Sequence, residues 1–323
     1  MLTTHLQHWK GGRKACCATV LMAATLLIVL LGSCQADRGN DATVRSVYYW
    51  STTLRMDSVK QAFLAEHDIR RMYLRYFDVV WDAERGAQPN ATLRFDDAVP
   101  QGVEVVPTVF ILNECMQHEC GDLAEKLVRR IVQMNDTHDV TGVDEVQIDC
   151  DWTPSTEQRF FAFLTDVRER LKEHGMRLSA TIRLHQLAGR VPPVDRGVLM
   201  MYNTGDFTRL DDEHPILDLH VAAPYLRHLP DYDLPLSAAY PLFRWQLVFR
   251  GSQFVGILHG DDLPMLPTDS VVVREPTLDE ILEARRALSD IRPDVNDEVI
   301  LYELNNYNIT RFNSHDYETI LSD

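Results

Sequence analysis

Val146-Gln147-Ile148-Asp149-Cys150-Asp151-Trp152 is the stretch on which the fold turns. Its alternation predicts a β-strand, with Val146, Ile148 and Cys150 on one face and Asp149 and Asp151 on the other. Two carboxylates sharing one face of a core strand repel each other and lose hydration. A fold keeps such a pair only where something neutralises or uses it. The functional centre is therefore expected here.

Immediately after this strand, residues 155–175 carry a helical stripe of Phe160, Phe163, Leu164, Val167 and Leu171, with Ser155 as the expected N-cap and Gly175 past the end. Residues 57–67 and 121–135 have the same periodicity. Eight apolar runs read as strands: 47–51, 72–77, 103–112, 145–151, 177–184, 197–202, 219–225 and 245–250. Strands alternating with helices predict an α/β fold, a (β/α)8 TIM-like barrel over residues 46–323. Pro192, Pro193, Pro215, Pro230, Pro235 and Pro241 predict short or irregular later helices. Residues 277–291 read as the last helix of the ring, and 298–305 as an additional strand or edge segment. A doubly wound open sheet is the alternative, but no glycine-rich nucleotide fingerprint follows any strand.

In a barrel the functional face lies at the carboxyl ends of the strands. Those ends would carry Trp50, Asp78, Glu114, Asp149, Asp151, Trp152, Arg183, Tyr202, Asn203, Tyr225 and Trp245. Aromatic faces stack on sugar rings while carboxylates and amides bond hydroxyls, so a carbohydrate ligand is the expectation. Asp149, Asp151 and Glu114 are the catalytic candidates, and the others are substrate contacts. The competing reading makes Asp149 and Asp151 an internal ion pair with Arg75 or Arg183, and Trp152 and Trp245 core residues. The histidines lack metal-ligand spacing, and neither a metal nor another cofactor is expected. Cys115 and Cys120 are placed for a small disulfide loop or as plain loop cysteines, with Cys150 a buried thiol.

Residues 1–33 read as a targeting segment, with Lys10, Arg13 and Lys14 ahead of an apolar run over 15–31. Leu31-Gly32-Ser33-Cys34 resembles a bacterial lipobox, which implies lipidation at Cys34, a tether over 34–45 and anchoring in the bacterial cell envelope. A membrane-spanning helix is the rival reading, for which the run is short. Loss of the three basic residues would leave 29 Lys and Arg against 48 Asp and Glu, a net charge of −19. Such a field excludes nucleic acid as a natural partner.

Two strand ends resemble the family 18 glycoside hydrolases, the chitinase group. Their fourth strand carries Asp-Gly-x-Asp-x-Asp-x-Glu, against which Asp149 and Asp151 align, while Val146 and Thr153 stand at the first aspartate and the final glutamate. Their sixth strand ends in Met-x-Tyr-Asp, and Met200-Met201-Tyr202-Asn203 stands here. The stretches 148–152 (IDCDW), 178–187 (LSATIRLHQL), 196–207 (RGVLMMYNTGDF) and 234–249 (LPLSAAYPLFRWQLVF) are also similar to a bacterial family labelled domain of unknown function 3142. The first resemblance implies substrate-assisted hydrolysis, in which the glutamate protonates the leaving oxygen. Threonine cannot do that. Glu114 or Asp78 would then enter as the acid, or Asp151 would serve as it, the like charge of Asp149 and burial by Trp152 raising the pKa of one member of the pair, or the site would bind a glycan without cleaving it.

Overall fold

The computed structural model describes residues 43–258 and 265–322. Eight parallel strands close into a cylinder: β1 (Val44–Tyr49), β2 (Arg71–Asp82), β3 (Glu104–Ile111), β4 (Glu145–Asp149), β5 (Arg177–Ile182), β6 (Arg196–Met200), β7 (Leu236–Pro241) and β8 (Glu298–Tyr302). Each pairs with the next, and β8 pairs with β1 through Val44↔Glu298 to Val47↔Leu301. Around them lie α1 (Ser58–Glu66), α2 (Leu123–Thr137), α3 (Glu157–Glu173), α4 (Leu219–Leu226), α5 (Leu278–Ile291) and α6 (Ser314–Leu321). This is the expected (β/α)8 barrel.

Two of the eight expected strands are placed differently. Residues 219–225 form helix α4: Asp218 caps it by accepting from the His220 backbone N–H, and Ala222 and Leu226, one turn apart, are its buried residues. Trp245–Arg250 is a strand, but it lies in a separate three-stranded antiparallel sheet with Gln253–Ile257 and Asp269–Arg274. The true β7 is the small-residue run Leu236–Pro241, which prolines at both ends disguise. β8 is the segment expected as an edge. The last helix of the ring is accordingly α6, and α5 precedes β8. After β5 there is only the 3-10 turn Leu184–Ala188, consistent with Pro192 and Pro193.

Inside the cylinder the side chains are unusually polar. Glu145, Gln147 and Asp149 of β4 point inward while Val146 and Ile148 are fully buried on the helix side. At the amino-terminal end Glu298 is held by Ser46 (2.6 Å), Tyr73 (3.1 Å), Ser237 (2.9 Å) and Arg196, with Arg71 at 3.7 Å. Its carboxyl pKa is lowered because those two guanidiniums and the hydroxyls outweigh the desolvation that would raise it. One layer up, the Tyr48 hydroxyl donates to Gln147 at 2.7 Å. Charged groups thus plug the lower end where many barrels use branched aliphatics.

Cys115, Cys120 and Cys150 are all free thiols. The disulfide expected as one alternative is not formed: the Cys115 thiol faces the Val79 carbonyl and that of Cys120 the Met116 sulfur. Among the described residues no helix is long and apolar enough to cross a membrane. The targeting segment and Cys34 lie outside the described residues.

Candidate active site

The strands open at their carboxyl ends into a cleft of about 800 Å³. Its floor is built from inward-facing strand-end residues: Trp50 after β1, Asp149 on β4, Tyr202 after β6 and Tyr302 on β8. One wall is Phe243, Arg244, Trp245 and Gln246 from the start of the antiparallel insertion. The loop after β8 adds Glu303, Asn305, Tyr307 and Asn308. The rings form a continuous band, with centroids 5.7 Å apart for Trp50 and Tyr302, 5.0 Å for Tyr302 and Tyr202, 5.7 Å for Tyr202 and Phe243, and 5.5 Å for Phe243 and Trp245. Arg244 lies over Tyr307 at 3.8 Å.

Asp149 and Asp151 both reach this cleft, bridged by one arginine. Arg183, which follows β5, donates through Nη2 to Asp149 at 3.0 Å and through Nε to Asp151. Thr181 Oγ1 also donates to Asp149 at 2.6 Å. Asp149 is buried, whereas the Asp151 side chain is 58% exposed. Desolvation pushes the Asp149 carboxyl above its ordinary range, and the Arg183 charge and Thr181 hydroxyl pull the other way. The internal ion pair and the open site are therefore both present in one arrangement.

Of the other residues expected at the site, Trp50, Arg183, Tyr202, Asn203 and Trp245 line the same cleft. Asn203 sits at φ 57°, the left-handed region that asparagine tolerates, which turns the chain away after β6. Tyr225, on α4, borders a side pocket of about 260 Å³ that shares Asp151, Arg183 and Tyr202 with the main cleft. Three stand apart from the lining. Glu114 is exposed in the turn Asn113–Gln117. Asp78 is buried against Arg75, whose Nε donates to it at 2.8 Å. Trp152 stacks on Phe160 at 5.0 Å beneath α3. Thr153, at the position of the resembled glutamate, has its hydroxyl bonded to Ser155 at 2.8 Å and Thr156 at 3.3 Å.

Two features of the cleft lay beyond the sequence reading. The hydroxyl of Tyr202, a residue of the cleft lining, is buried and has no hydrogen-bond partner among the described residues; burial raises its pKa, so it remains a donor. Glu303 follows β8 directly, across a cis peptide from Tyr302. Its Oε1 accepts from Asn305 Nδ2 at 3.2 Å, and burial raises its pKa against the opposing pull of Asn305, Arg75 and the Trp50 backbone N–H. The place of Glu303 at the mouth would have been found by taking 298–302 as the eighth barrel strand, since the mouth then begins at Tyr302. Among the described residues, no cluster of three or more His, Cys, Asp or Glu side chains is arranged to hold a metal ion.

No protein-family model matches the chain, and no curated protein matches it. Solved structures do. The spore cortex-lytic enzyme SleL of Bacillus cereus superposes with a TM-score of 0.56 at 12% identity, over 86% of this chain and 74% of that one. A class V chitinase variant of Nicotiana tobaccum, in complex with NAG4, gives 0.54 at 10% identity over 86% and 99%. The GH18 chitinase ChiB from the chitin utilization locus of Flavobacterium johnsoniae gives 0.51 at 11% over 87% and 93%. At such identities it is architecture that is shared: the chain has the same (β/α)8 barrel fold as these solved structures.

Proposed function

We propose that this protein is a glycoside-hydrolase-like barrel that binds a β-linked, N-acetylated glycan across the carboxyl-terminal mouth and cleaves it. The observation that carries the reading is the Tyr202 hydroxyl, buried and unpartnered among the described residues, on a residue lining a cleft rich in aromatic rings, carboxylates and amides. A desolvated donor without a partner costs about 1–3 kcal/mol unless a ligand satisfies it. Rings that stack on sugar faces, beside groups that accept from hydroxyls, fit a saccharide as that ligand. The neighbour solved with NAG4 supports an N-acetylglucosamine oligomer as the first probe. Tryptophan fluorescence should report its binding through Trp50 and Trp245. Tyr202→Phe should weaken the affinity about tenfold, one hydrogen bond's worth. Unchanged affinity in that variant, or no binding by any glycan of a panel, would sink the reading.

A second reading, binding without cleavage, draws on Arg183 and Thr153. Both strand-4 aspartates are tied to one guanidinium, and the hydroxyl at position 153 is engaged within its own turn. Glycan retention without release of reducing ends, with Asp151→Asn altering affinity alone, is its signature. Cleavage abolished in Asp151→Asn, with an unchanged circular dichroism spectrum, is that of hydrolysis. Lipid anchoring at Cys34 in the cell envelope belongs to the same proposal, supported by the lipobox-like Leu31-Gly32-Ser33-Cys34. Fatty-acid labelling of the expressed chain, lost in Cys34→Ala, tests it.

A further inference from the structure

Hydrolysis at this mouth lacks a proton donor on β4. Of the three carboxylates that line the cleft among the described residues, Asp149 and Asp151 are bonded to Arg183. Glu303 has no ion-pair partner among the described residues. Arg75, whose charge reaches it, is committed to Asp78. Its carboxyl is positioned by neutral groups, the Asn305 amide and the Trp50 backbone N–H.

Position in the cylinder matters as much. With strands paired in sequence order and β8 closing on β1, β8 stands four strands from β4 in either direction. Glu303 and the aspartate pair therefore rise from opposite sides of the mouth, and a glycan lying across the floor passes between them. Carboxyl groups flanking a scissile bond are the arrangement that glycoside hydrolysis uses.

We propose that Glu303 is the general acid of this cleft, taking the role that Thr153 cannot; this rests on the glycan reading above. Glu303 gives its proton to the glycosidic oxygen as the bond from that oxygen to the anomeric carbon breaks, and the bonding electrons leave with the oxygen. Water attacks the carbon from the other side and passes a proton to Asp151, the more exposed of the pair. The products are two hydroxyl-bearing saccharides. Solvent then carries the proton from Asp151 back to Glu303. Burial, which holds the Glu303 carboxyl above its usual range, keeps more of it protonated near neutrality.

The test compares wild type and Glu303→Gln on an N-acetylglucosamine oligomer and on its 4-nitrophenyl glycoside. The nitrophenolate leaves readily without a proton, so the acid matters far less there. Glu303→Gln should lower turnover of the oligomer at least about 100-fold, with Kd by tryptophan fluorescence within threefold. It should retain most of its turnover of the nitrophenyl glycoside, and its rate should lose the alkaline fall expected of wild type. Equal losses on both substrates, or oligomer turnover within threefold of wild type, overturn the assignment. Wild type that binds the oligomer and never cleaves either substrate overturns it too, and leaves standing only the reading of binding without cleavage. Wild type that binds no glycan removes both.

Discussion

Arg183 is where two demands meet on one side chain. It neutralises a buried carboxylate and an exposed one with the same guanidinium, so its removal strands Asp149 in a dry site. Arg183→Met is expected to cost about 3 kcal/mol near pH 7. The loss should shrink on acidification, as Asp149 takes a proton and no longer needs a cation; urea denaturation at pH 7 and pH 5 measures both. Glu303 predicts the opposite sign. Its pKa is higher folded than unfolded, so the native state binds the extra proton, and ionisation above that pKa works against folding. Glu303→Gln should therefore be more stable than wild type at neutral pH. The advantage should fade as pH falls through the folded pKa towards the ordinary glutamate value, which thermal melts across that range would follow. The aspartates and Tyr202 could be read from alternation and strand ends. The unpartnered hydroxyl and the isolation of Glu303 depend on which groups meet across the barrel, and no local pattern encodes that.

At the scale of elements, β5, β6 and β7 meet at a residue with no room for a side chain. A Cβ on Gly197 would lie 2.8 Å from Leu236 and 2.9 Å from Ile182 and Leu234. Gly197→Ala should destabilise by roughly 1–3 kcal/mol through overpacking, read as a lowered urea midpoint with an unchanged slope. The six early strands and the long helices were legible because their periodicity is regular: the α3 stripe of Phe160, Phe163, Leu164, Val167 and Leu171 is buried as its spacing predicts. The helix begins at Glu157, and Thr156 rather than Ser155 occupies the N-cap. The misreadings have separate causes. Leu219–Tyr225 is short and apolar on most sides, so its sequence fits a buried strand as well as a helix, and only the Asp218 cap distinguishes them. Leu236–Pro241 has Ser237, Ala238, Ala239 and Pro241 at four of its six positions, residues of little strand propensity, and is held by its neighbours in the cylinder.

Across the whole molecule, the plugged end and the open end have different tasks. Glu298 draws partners from β1, β2, β6 and β7, so Glu298→Gln would leave Arg196 and Arg71 under-compensated in the interior. A loss of about 3–5 kcal/mol is expected near neutral pH. Glu298 has a depressed pKa, so its contribution is present above the unfolded glutamate value and disappears as pH falls through the folded one. Wild type and variant should converge as the pH is lowered through the folded pKa, and calorimetry over a descending pH series from 7 would show it. The same carboxylate has a consequence for biogenesis. It enters on the last barrel strand, so until that strand emerges Arg71 and Arg196 lack the carboxylate they share. A product ending at Asp297 should show no cooperative melt at all, because closure of the cylinder waits on its last stave.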